Sequence, residues 1–169
     1  MPTKKLPGET DAPQPPDVDN MAPRIPRDRR AIEKTTSDLH RLLATQNFRS
    51  IDEANAYLRQ LLQDGGGRVP AQAAATPLEQ AQDIMYEAWD AQGERRVELA
   101  QQALSISPDC ADAYVLLAEE TAETAEQAHA LYTKGVAAGE RALGAHAFKD
   151  LVGHFWGAIE TRPYLRARQ

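Results

Sequence analysis

The amino-acid sequence predicts an all-α chain of paired, stacked helices, and three observations carry that prediction. Apolar residues recur at helical spacing along most of the chain from Arg29 onward, as at Ala100, Ala103 and Leu104. Caps and breakers punctuate those rows: Ser50 with Glu53, Thr76 with Pro77 and Glu79, and Pro108. The composition, 42% hydrophobic but only 6% aromatic, gives an alanine–leucine core, which suits helices that approach closely. At 169 residues one domain is the expectation.

Residues 1–27 hold seven of the eleven prolines and few large apolar side chains. Such a segment cannot bury enough surface to offset its ordering entropy, so it reads as a disordered tail. Residues 28–63 read as a helical hairpin. Ile32, Leu39, Leu42 and Leu43 mark one face of a helix from Arg29 to Ala44. A connection of about six residues leads to a second helix, so the two should fold back antiparallel. That second helix opens at the Ser50–Glu53 capping box and carries the stripe Ile51, Ala54, Leu58, Leu61 and Leu62. Gly65, Gly66 and Gly67 end it, and residues 64–75 read as a flexible linker.

Residues 76–169 hold the densest helical signals. Thr76, Pro77 and Glu79 supply a cap, a first-turn proline and a capping-box glutamate, and Ala81, Ile84, Met85 and Ala88 follow on one face with Trp89 at its edge. Gly93 breaks this helix, and its partner runs to about Ser105 with Val97, Ala100, Ala103 and Leu104 inward. Pro108 then stops the chain, because its ring cannot donate to the preceding turn. Asp109 is placed to cap the next helix, on which Ala113, Tyr114, Leu117 and Ala118 share a face. A long helix from about Ala125 to Leu143 brings Ala128, Leu131, Tyr132, Gly135, Val136 and Gly139 together. Gly135 and Gly139 form a G-x-x-x-G that permits a close helix crossing; Lys134 and Glu140 beside it exclude a membrane reading. Pro163 opens a further helix without an evident cap.

Ala100, Ala103, Leu104, Ile106 and Pro108, then Tyr114, Leu117 and Ala118, then Ala128, Tyr132 and Gly135 resemble the tetratricopeptide repeat, a helical pair of about 34 residues. Arg96 replaces a small residue of that pattern, and the loop before Ala128 is shortened. The segments Ser105–Leu117, Ala130–Arg141, Gly153–Gly157 and Glu160–Leu165 resemble bacterial tetratricopeptide proteins related to the suppression-of-tumorigenicity group. The resemblance, over roughly residues 76–169, implies an α-solenoid fragment that binds partners, and the start of a longer array.

Little chemistry accompanies this pattern. His146 and His154 stand eight positions apart, matching no zinc spacing, and neither a metal nor a cofactor is expected. His154 reads as a packed or hydrogen-bonded residue, and His40 and His129 as helix-surface ones. Cys110, the single cysteine, excludes an internal disulfide and points to a reducing, cytoplasmic setting; flanked by Asp109 and Asp112, it reads as a buried small residue, not a nucleophile. Glu119, Glu120, Glu123 and Glu126 read as a solvated acidic face, and the glycine run lacks the lysine of a phosphate loop. No apolar run is long enough to span a membrane and no signal peptide is evident. An enzyme is therefore not expected.

The expected function is a non-enzymatic protein–protein interaction scaffold, using the concave side that first helices line in stacked repeats. By register that side presents Gln82, Tyr86, Trp89, Asp112, Val115 and Glu119, a mixture of aromatic and acidic groups suited to a basic peptide. Their competing reading is packing against the N-terminal hairpin or further repeats. A second expectation is a nucleic-acid or regulatory adaptor using the basic cluster Arg24–Arg30. Nucleic acid is disfavoured, because that cluster has no interleaved aromatic and residues 31–169 carry 13 Lys/Arg against 20 Asp/Glu. A third is a truncated product of a longer repeat protein.

Overall fold

The structure is a computed structural model and describes residues 29–169, so the tail expected over residues 1–27 lies outside the described residues. It is all-helical, with no strand among the described residues: α1 (Arg29–Ala44), α2 (Ile51–Asp64), α3 (Pro77–Asp90), α4 (Glu94–Ile106), α5 (Ala111–Thr121), α6 (Ala125–Asp150) and α7 (Arg162–Ala167). The termini form where local chemistry places them. Thr76 and Glu79 exchange a complete capping box at the start of α3, Ser50 accepts the Glu53 N–H at the start of α2, and Thr124 accepts that of Gln127 at the start of α6.

α3 packs along α4, α5 along α6, and α4 against α5, giving two stacked hairpins. Their shared core is Ala81, Met85, Ala88, Leu99, Ala100, Ala103, Cys110, Ala113, Leu116 and Leu117. Most of these are small, which is what lets the helices approach. Within α6, Gly144 sits at φ 67° and ψ 166°, conformations a side chain would strain, so the helix expected to end at Leu143 breaks there and resumes for one short run. Two 3-10 turns, Phe155–Gly157 and Ile159–Thr161, then return the chain to α7. The Thr161 hydroxyl, fully buried, donates to the Phe155 and Ala158 carbonyls, and Phe148, Phe155 and Tyr164 cluster with ring centroids 5.3–5.9 Å apart.

α7 lies across α6 and α5. The G-x-x-x-G makes this crossing possible: a Cβ on Gly139 would fall 2.8 Å from the Tyr164 Cβ, and one on Gly135 would fall 3.1 Å from the Ala167 Cβ.

Four local expectations are corrected. Of the expected α1 row Ile32, Leu39, Leu42 and Leu43, Leu42 is buried and Leu39 and Leu43 are half-buried, but Ile32 is 45% exposed, and Glu33, Asp38 and Arg41 are the other buried residues of the helix. α2 buries no residue at all, and α1 meets α3 and the Ile159–Thr161 turn more than it meets α2. Asp109 does not cap α5, whose cap position is Cys110 with no side-chain bond; the Asp109 carboxylate instead accepts the Arg141 Nε–H at 2.7 Å. His154 is exposed, not packed.

Candidate partner-binding groove

Of the six residues expected on the inner faces of α3 and α5, Gln82 and Tyr86 border one hollow and Trp89, Val115 and Glu119 another. Gln82, Tyr86 and Trp89 come from successive turns of α3, and Asp112, Val115 and Glu119 from successive turns of α5. Gln82 Nε2–H donates to Asp112 Oδ2 at 2.7 Å, and Tyr86 meets Trp89 edge-on at 5.7 Å between centroids. Tyr86, Asp112 and Val115 are buried, whereas Glu119 is exposed and Trp89 half-buried.

What buries them is the chain itself. Arg166 of α7 reaches into the groove and donates from Nε and Nη2 to Asp112 at 2.7 and 2.5 Å, and from Nη1 and Nη2 to Glu33 of α1 at 2.8 Å each. Its guanidinium also lies 5.1 Å from the Trp89 ring centroid, with that of Arg30 over the same ring at 4.5 Å. Glu33 and Asp112 are thus two buried carboxylates, each held by a two-pronged arginine contact, the geometry in which a planar guanidinium outperforms an ammonium.

The electrostatics follow from burial. Desolvation works against the Arg166 charge, but Asp112 and Glu33 more than offset it and raise its pKa above the usual arginine value. Burial, reinforced by the Glu33 and Asp112 charges, pushes the Tyr86 phenol well above its ordinary value. Burial and Asp112 push the Cys110 thiol up to about 12, so it is packed as a neutral group and is a poor nucleophile.

A second polar clamp lies further along α1. Arg41 donates to both Asp83 oxygens at 3.1 and 2.9 Å and to the Glu79 and Gln72 carbonyls at 3.4 Å, and its Nε stands 3.5 Å from the Glu79 carboxylate. The Gln72 N–H bonds Asp38 at 3.2 Å, which ties the stretch before α3 down onto α1. Among the described residues, no group of three or more His, Cys, Asp or Glu is placed to hold a metal ion, and no helix is long and apolar enough to cross a membrane.

Part of the groove stays open beside α7: a hollow of about 680 Å³ bordered by Trp89, Val115, Glu119 and Tyr132, with Arg30 and Arg168 at its rim. Sequence reading missed Glu33, Arg41, Asp83 and Arg166. The available signal was spacing: Glu33, Ser37 and Arg41 recur every four residues on α1, as do Arg162 and Arg166 on α7, so each row is one helix face.

Residues 71–151 match the family model described as ST7 protein. This segment contains α3 to α6, while α1 and α7, which fill the groove, lie outside it. The chain is similar to the protein ST7 homolog of Caenorhabditis elegans, 38% identical over 73 residues, or 43% of this chain and 14% of that protein. It is also similar to the human suppressor of tumorigenicity 7 protein-like, 42% identical over 64 residues, or 37% of this chain and 11% of that protein, and to its chicken counterpart, 41% identical over 64 residues, or 37% of this chain and 12% of that protein. The chain thus spans about one seventh or less of the length of these ST7 relatives. All three are animal proteins, and the bacterial part of the expected resemblance is not supported. No solved structure matches the chain.

Proposed function

We propose that this chain is a non-enzymatic, tetratricopeptide-like interaction module that grips an arginine-bearing helical segment on the concave side of α3 and α5. The observation that supports it is the Arg166 socket: two buried carboxylates and an aromatic face, converging from α1, α3 and α5 on one guanidinium. In this structure the occupant is the chain's own α7, so a basic partner helix would compete with α7 for the same socket. The single buried thiol is consistent with a reducing, cytoplasmic setting. The likeness to ST7 proteins bears on the body that builds the groove, and the module's place in such a protein would be a scaffold for assembly with other chains.

Complementation in trans tests the reading. Arg166→Gln loosens α7, and a peptide spanning residues 158–169 should then bind the variant at least about tenfold more tightly than it binds the unaltered chain, because the tethered competitor is weakened. The same peptide with glutamine in place of its Arg166 should not bind. Equal binding of both peptides, or of neither, would overturn the proposal.

A further inference from the structure

We infer that the groove between the start of α1 and α7 docks an acidic, apolar-bearing segment of a partner protein, on the outer side of the wall that Glu33 and Arg166 share with the socket. This groove measures about 520 Å³; Arg29, Arg30, Arg162 and Arg166 line it, and Glu33 is the acidic side chain among its lining residues. Glu33 is buried and held through both oxygens by Arg166, with Arg162 at 3.6 Å. Arg166 is fixed in turn by Asp112. On the outer wall Arg29 is exposed and forms no ion pair with a described residue.

The wall is also apolar. Trp156, 71% exposed, and Ile32 stand among the arginines, although a tryptophan is costly to leave in water. Arginines around an exposed tryptophan are the composition of an interface hot spot.

Charge complementarity selects the occupant. The chain carries a net charge of −6, so this face inverts the sign of the molecule and draws an acidic ligand to one place. A nucleic-acid strand would extend its phosphates past the groove onto the acidic body, and a single exposed aromatic offers no series of stacking platforms. A short acidic peptide confines its charge to the arginines and sets one apolar side chain against Trp156 and Ile32.

The test uses the full chain and fluorescence anisotropy of a labelled, acetylated, glutamate-rich peptide carrying one phenylalanine. Binding should weaken as salt rises, fall about threefold with Arg29→Gln and fall about tenfold with Trp156→Ala. Both side chains are exposed, so the variants should keep wild-type helicity and thermal unfolding. The inference is overturned if a glutamine-for-glutamate version of the peptide binds equally well, if neither substitution changes the affinity, or if oligothymidylate or phosphatidylserine vesicles compete on equal terms. Because the Arg166 guanidinium bonds Asp112 and Glu33 and neither Arg29 nor Trp156, failure here leaves the trans-complementation result standing, and the reverse also holds.

Discussion

Two seams hold this molecule together, and they are built from opposite materials. Between α3, α4 and α5 the contact is dry and small: Ala81, Ala88, Ala100, Ala103 and Ala113 let helices approach while Met85, Leu99 and Leu116 fill the remaining space. Between that body and α1 and α7 the contact is charged: Glu33, Arg166, Asp112, Arg41 and Asp83 meet in two clamps, joined by residues up to 133 positions apart. The first seam gains from apolar surface removed from water, is non-directional, and tolerates imperfect geometry. The second is directional and depends on every partner being present. A buried ion pair adds little net stability over an apolar contact, yet removing one partner leaves an uncompensated charge.

The largest effect expected therefore lies in the charged seam. Arg166→Ala leaves Asp112, fully buried, with only the Gln82 amide, and leaves Glu33 with Arg162 at 3.6 Å. We expect a loss of about 3–5 kcal/mol in denaturant unfolding. A loss near 1 kcal/mol would mean that water enters and solvates both carboxylates, and the contrast between the seams would collapse.

Next in size is the joint where the two seams meet. A methyl group on Gly139 would fall 2.8 Å from the Tyr164 Cβ and 3.0 Å from its Cα, atoms that cannot swing aside, so α7 itself must shift. Gly139→Ala should cost about 1–3 kcal/mol. Hydrogen exchange should rise first in α7 and leave the α3–α5 amides protected, which sharpens the comparison by showing that the charged seam opens while the apolar one holds. Gly135→Ala, whose new contacts are at 3.1 and 3.3 Å, should do the same more mildly.

The same contrast explains what the amino-acid sequence reveals. The dry seam is legible because apolar periodicity records it directly: Ala81, Met85, Ala88, Ala100 and Ala103 fall inside as their spacing requires, and Pro108 and the Thr76 capping box bound the helices. Helix register also brings Gln82 of α3 opposite Asp112 of α5, where they share a 2.7 Å hydrogen bond. What register cannot reveal is an occupant from the same chain. Glu33 and Arg166 look like solvated surface in isolation, and only the fold places them 2.8 Å apart. Ile32 misled for the same reason: α1, offered a charged socket, buries Glu33 beside it.

α2 belongs to neither seam, and its behaviour sets the lower bound of the scale. Ile51 is 76% and Leu62 49% exposed, so Leu62→Gln should change global stability by less than about 0.5 kcal/mol. The helix persists through its own ends: Ser50 accepts the Glu53 N–H, Glu53 accepts that of Arg49, and Gly67 N–H closes on the Leu62 carbonyl at 2.8 Å. Ser50→Ala removes one of these and should lower the free energy of local opening by about 1 kcal/mol, raising exchange in α2 by about fivefold while the midpoint of global unfolding stays put. If that midpoint falls as far as local opening does, α2 unfolds together with the body, and its exposed Ile51 and Leu62 must be counted as part of a seam.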